Sequence, residues 1–82
     1  MIKVRFFAML KGIAGTETKE YGITAPIKME NLKEIIKKDF PSLSQYIDSR
    51  SLLISVNQEF ATKDTLIKDG DEVGILPPFS GG

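Results

Sequence analysis

From Ile2 the chain alternates in "IKVRFFAML", with Ile2, Val4, Phe6 and Ala8 on one side and Lys3, Arg5, Phe7 and Met9 on the other. That period of two predicts a first strand. Gly12 and Gly15 mark a turn region, and the polar "TETKEY" that follows reads as an outer strand ended by Gly22 and Pro26. The period then changes. In "MENLKEIIKKDF", Met29, Leu32, Ile35, Ile36 and Phe40 recur at helical spacing and predict one apolar stripe. Glu30 is spaced to pair with Lys33, and Glu34 with Lys37 and Lys38. Lysines gather toward the helix C-terminus, where they complement its dipole, and Pro41 ends it. Ser42 is placed to cap a short helical turn through "LSQYI", which tucks in Leu43, Tyr46 and Ile47. "SLLISV" predicts a strand with Leu52, Ile54 and Val56 inward, and Asn57–Gln58 a tight turn into "EFA". "KDTLIKDGDEVGILPP" reads as a loop, a turn at "DGD" and a last strand with Val73 and Ile75 inward, stopped by Pro77.

Strand, strand, helix, strand, short strand, strand specifies an α+β domain, one main helix packed across a mixed sheet. The order and length suit the ubiquitin-like β-grasp, with residues 1–76 as the domain and residues 77–82 as a flexible C-terminal tail. Strand phase also picks out apolar residues on the face the helix does not cover: Phe7, Met9, Leu53 and Leu76, with Phe79 beyond the last strand. Clustered, they make a partner surface leading to the tail; scattered, they are ordinary solvent-exposed apolar side chains of a small domain. The aromatics favour the partner surface, because interface cores are rich in them. Gly22, Gly70 and Gly74 are expected to serve turns or close approach, and Asp69 and Asp71 to form turns.

Composition narrows the chemistry. Eighty-two residues allow one domain, and the chain contains no cysteine and no histidine. That removes disulfides, thiolate metal sites, the commonest neutral-pH base and every Ser/His or Cys/His nucleophile. No carboxylates fall at a recognisable catalytic or calcium-loop spacing. The 11 basic and 11 acidic residues balance, but residues 1–40 carry eight basic and five acidic groups, and residues 41–82 three and six. Asp64, Asp69, Asp71 and Glu72 place the acidic excess near the tail, an acidic flank beside the C-terminus suited to docking onto a basic partner, or simply a solvated surface. No basic run suggests nucleic acid. The N-terminal segment is too short and too charged for a signal peptide or membrane span, so a cytoplasmic location is expected.

The terminal "LPPFSGG" carries the sharpest functional signal. Pro77 and Pro78 fix an extended spacer, which lowers the entropy lost on insertion into a partner. Gly81 and Gly82 have no side chains, so they can thread a narrow tunnel and leave the terminal carboxylate unshielded. The tail has the form of a substrate for another protein's active site.

"IKVRFFAMLKGIAG" at the start and "VNQEFATKDTLIKDGDEVGILPPFSGG" at the end resemble the MoaD/ThiS ubiquitin-like sulfur carriers. The paired proline favours the MoaD-like, pterin branch over the thiamine-pathway ThiS branch, and residues 16–50 are only loosely family-like. The resemblance implies that a MoeB-like adenylyltransferase uses ATP to convert the Gly82 carboxylate to an acyl-adenylate, and that sulfur from a donor replaces AMP. The resulting thiocarboxylate would enter a MoaE-like large subunit of molybdopterin synthase, in a heterotetramer, and pass its sulfur to cyclic pyranopterin monophosphate. Gly82 would carry the sulfur, Gly81 and Ser80 would let the tail thread, and Phe7, Leu76, Pro77, Pro78 and Phe79 would dock. No bound cofactor and no catalytic side chain of the chain's own are expected. The same features fit a ubiquitin-like protein modifier, a carrier for tRNA thiolation or thiamine synthesis, or a plain β-grasp binding module.

Overall fold

The computed structural model describes residues 1–49 and 52–77. Five strands form a mixed sheet in the order β2-β1-β7-β4-β5: β1 (Ile2–Phe6), β2 (Thr18–Tyr21), β4 (Leu53–Val56), β5 (Glu59–Phe60) and β7 (Glu72–Leu76). The first and last strands are central and parallel, with Val4 beside Val73, and the remaining pairs are antiparallel. Helix α2 (Met29–Asp39) covers one face and buries Met29, Leu32 and Ile36 against Ile2, Val4, Phe6, Ile54, Val73 and Ile75. Each such side chain contributes roughly 1.5–3 kcal/mol. Phe40, just past the helix, meets Phe6 edge-on with ring centroids 5.0 Å apart. This is the expected ubiquitin-like β-grasp.

Three local expectations change. The alternation of β1 stops at Phe6, and residues Met9–Ala14 form a helix, α1, where a turn region was expected. The chain reverses at Ala8 (φ 52, ψ −130), and Leu10 N–H donates to the Phe7 carbonyl at 3.1 Å. Leu10 is then buried and Ala8 is exposed, the reverse of continued strand phase. Gly12 sits inside this helix, where its low propensity hid the helical spacing of Met9, Leu10, Ile13 and Ala14. Second, β3 (Ile27–Lys28) pairs antiparallel with β6 (Leu66–Ile67) in a separate two-stranded ribbon that buries Ile67. Two-residue strands are too short to show a period. Third, Ser42 caps nothing: a 3₁₀ turn at Pro41–Leu43 leads directly into α3 (Ser44–Ile47) with no side-chain cap hydrogen bond. Leu43 and Ile47 are buried as expected.

Two turns aim the last strand. Asn57 and Gln58 take φ 51 and 72, the positive values of the two-residue hairpin turn that matches strand twist. Gly70 takes φ 93 in the turn before β7, where Asp71 N–H donates to the Lys68 carbonyl at 3.0 Å.

Candidate functional site

Cross-strand register defines the face that α2 leaves uncovered. Side chains alternate, so Lys3, Arg5 and Phe7 share it with Glu72, Gly74 and Leu76, with Leu53 and Ser55, and with Phe60. These residues form three rows across the strands. Glu20, Lys3 and Glu72 make a charged row; Thr18, Arg5, Gly74, Ser55 and Phe60 make the middle one. Phe7, Leu76 and Leu53 make an apolar row where the chain leaves the sheet. Polarity therefore falls along β7 toward the tail.

Phe7 is 40% exposed and lies just past β1, its N–H donating to the Ile75 carbonyl at 3.1 Å. Leu76, Leu53 and Pro77 are half-buried. The structure thus brings Phe7, Leu76 and Leu53 to one end of one face, as strand phase predicts, and Pro77 follows directly after β7. Pro78, Phe79, Ser80, Gly81 and Gly82 lie outside the described residues. Met9, expected beside Phe7 on the strand, sits on α1 and is 52% exposed.

A groove of about 570 Å³ opens in this face, with Phe7 at one end, Gly74 and Ser55 within it and Arg5, Glu72, Asn57 and Gln58 around it. Arg5 Nε donates to Glu72 Oε1 at 2.8 Å, and its Nη1 reaches Glu17 Oε1 at 3.5 Å. The hydrogen bond and charge of Glu72 raise the guanidinium above its ordinary value, and Arg5 in turn holds the Glu72 carboxyl below its own. Asn57 ties the hairpin to β7: its side-chain amide donates to Asp71 Oδ1 at 3.0 Å, and its Oδ1 accepts from Glu72 N–H at 3.0 Å. The Asp71 carboxyl is held low by the backbone N–H of Lys68 at 2.8 Å and then by Asn57.

These contacts correct the expectation of an acidic flank at the tail. Asp69 pairs with the Met1 amino group, Asp71 braces the turn before β7, and Glu72 opens that strand. From Glu72 to Leu76 the strand runs about 13 Å, so Asp69, Asp71 and Glu72 gather at the far end of the face. Sequence reasoning did not single out Arg5, Ser55 or Phe60, which the register places on this face. Phe60 is 77% exposed on β5, at the edge of the sheet in the middle row. The positive-φ pair Asn57–Gln58 fixes the hairpin register that places it there, and the legible signal was that turn.

The ThiS family model matches residues 4–82. The chain is 34% identical to the molybdopterin synthase sulfur carrier subunit of Escherichia coli (strain K12), an alignment spanning all of both chains. It is 32% identical to the molybdopterin synthase sulfur carrier subunit of Chlamydomonas reinhardtii, over 99% of this chain and 98% of the relative. Among solved structures it is similar to small archaeal modifier protein 1 from Methanosarcina acetivorans, with TM-score 0.82 and 31% identity over 99% of this chain and 95% of that one. Among the described residues, no helix is long and apolar enough to cross a membrane.

Proposed function

The chain belongs to the ThiS family, and from that premise we propose that it is the sulfur-carrier subunit of a molybdopterin synthase. The observation that carries this reading is end-to-end similarity, at 34% identity, to a sulfur carrier subunit of that enzyme, the terminal glycines included in the matched span. The apolar row of Phe7, Leu76 and Leu53 supports it, because it lies where the tail departs and supplies a surface for a partner. In this reading residues 1–76 are a docking domain and residues 77–82 the reactive tail. A MoeB-like enzyme joins the Gly82 carboxylate to AMP from ATP, releasing pyrophosphate. Sulfide-level sulfur from a donor attacks the activated carbonyl carbon and AMP leaves. The thiocarboxylate is anionic and nucleophilic at neutral pH, so the chain contributes no catalytic side chain. Gly81 and Ser80 thread a channel of the MoaE-like large subunit, while Phe7, Leu76, Pro77, Pro78 and Phe79, joined by Phe60, hold the domain at its mouth. The cytoplasm, where ATP is available, is the site of action.

Deleting Gly82, or adding one alanine after it, abolishes sulfur transfer and leaves the thermal transition unchanged. Full activity in either variant contradicts the mechanism. The likeness to a small archaeal modifier protein favours a second reading, in which the activated tail is joined to lysines of other proteins. Lysine-linked adducts bearing the Gly82 carbonyl, found by peptide mass spectrometry, decide for it.

A further inference from the structure

We infer that Gly74 is a positioning residue for docking: the hydrogen in place of its side chain is what lets the Phe7 ring lie down against β7. This role deepens the docking reading above and rests on it. Gly74 is buried in the middle of β7, between Arg5 on β1 and Ser55 on β4. Its backbone makes no special demand, because a positive φ is absent here. The demand comes from the space above it. A Cβ at this position would stand 2.6 Å from Ser55 Oγ, 3.1 Å from Phe7 Cε2 and 3.6 Å from Leu76 Cδ1. The Ser55 hydroxyl can rotate away and the Leu76 contact is ordinary. The Phe7 contact is different, since Phe7 is tethered through its N–H to the Ile75 carbonyl. Only the ring can yield, by tilting outward a few tenths of an ångström, and that tilt lifts the most exposed part of the apolar row out of plane with Leu76 and Leu53. A rigid partner surface reads such a change as lost complementarity.

The test uses the full-length chain and the large subunit of molybdopterin synthase, with dissociation constants from isothermal titration calorimetry. Gly74→Ala weakens binding about five- to tenfold, the range expected for a strained contact at an interface. The double variant S55A/G74A removes the closest clash and safeguards the fold, yet its binding stays weak because the ring contact remains. In a Phe7→Ala background, G74A changes affinity less than twofold. Wild-type affinity in G74A, restored affinity in S55A/G74A, or an equal loss with and without the ring overturns the role. A partner-free arm reads the same placement: the Gly74 α-protons carry a ring-current shift in NMR spectra that Phe7→Leu abolishes. Absence of that shift refutes the positioning directly. If the shift is present but the wild-type chain does not bind the large subunit, the docking reading fails and Gly74's role in docking falls with it.

Discussion

Phe7→Ala separates folding from docking in one side chain. A phenylalanine carries roughly 150–250 Å² of surface. With 40% exposed, about 80 Å² remains for a partner to cover. At about 25 cal/mol per Å² that is about 2 kcal/mol, or about thirtyfold in dissociation constant. The covered remainder, about 120 Å², packs down over Gly74 and sets an upper bound of about 3 kcal/mol on the stability lost. A domain of this size holds on the order of 5–10 kcal/mol, so the variant stays folded but unfolds at lower urea. Calorimetric titration against the large synthase subunit gives the first number and urea denaturation the second. Phe7→Asp leaves the fold intact and weakens docking further, since an uncompensated carboxylate would be buried there. A folded Phe7→Ala that binds like wild type refutes the docking surface. Loss of folding in Phe7→Asp shows that the ring belongs to the core.

Ile36→Ala, at the centre of the buried stripe of α2, lowers unfolding free energy by about 2–5 kcal/mol in urea melts; a loss below about 1 kcal/mol contradicts the packing described. Asn57→Ala forfeits two hydrogen bonds and leaves alanine at φ 51, costing about 2 kcal/mol. Asn57→Gly loses the same bonds without the strain, so it must be the milder variant. Burial pushes the Tyr21 phenol above its ordinary value, and Asp39 pushes it the same way without meeting the geometry of a hydrogen bond to the hydroxyl. Its unfolded form ionises near pH 10 while the folded form keeps its proton. The stability this gives is complete below about pH 10 and is lost as pH rises from there through the folded value. Tyr21→Phe flattens that alkaline decline and changes stability at pH 7 by less than about 1 kcal/mol. An alkaline decline as steep as wild type's rules out Tyr21 as its source.

The long elements were legible because their periods run for several repeats. The Met29–Leu32–Ile36 stripe and the inward Ile2–Val4–Phe6 alternation had enough length to separate helix from strand. The order of those elements then carried the β-grasp topology. Helix α1 was not legible: Gly12 and Gly15 carry strong turn signals, and the alternation of β1 runs on past its true end. The reversal at Ala8 uses a backbone conformation whose usual marker, glycine, is absent. Strands β3 and β6 are defined by each other across nearly forty residues, which local reading does not reach. On the site, strand phase placed Phe7 and Leu76 on the outer face. Phe60 escaped because β5 is two residues long, and the acidic residues were misplaced because nearness in sequence was taken for nearness in space. A straight strand separates Glu72 from the tail.

The central claim is that sulfur is carried on the C-terminal glycine. The chain, incubated with a MoeB-like adenylyltransferase, ATP and a sulfide source, is weighed intact and then fragmented. The account predicts a mass change of one oxygen replaced by one sulfur, localised to Gly82 and dependent on ATP. An unchanged mass with an adenylyltransferase shown to be active, or a sulfur found elsewhere in the chain, contradicts it.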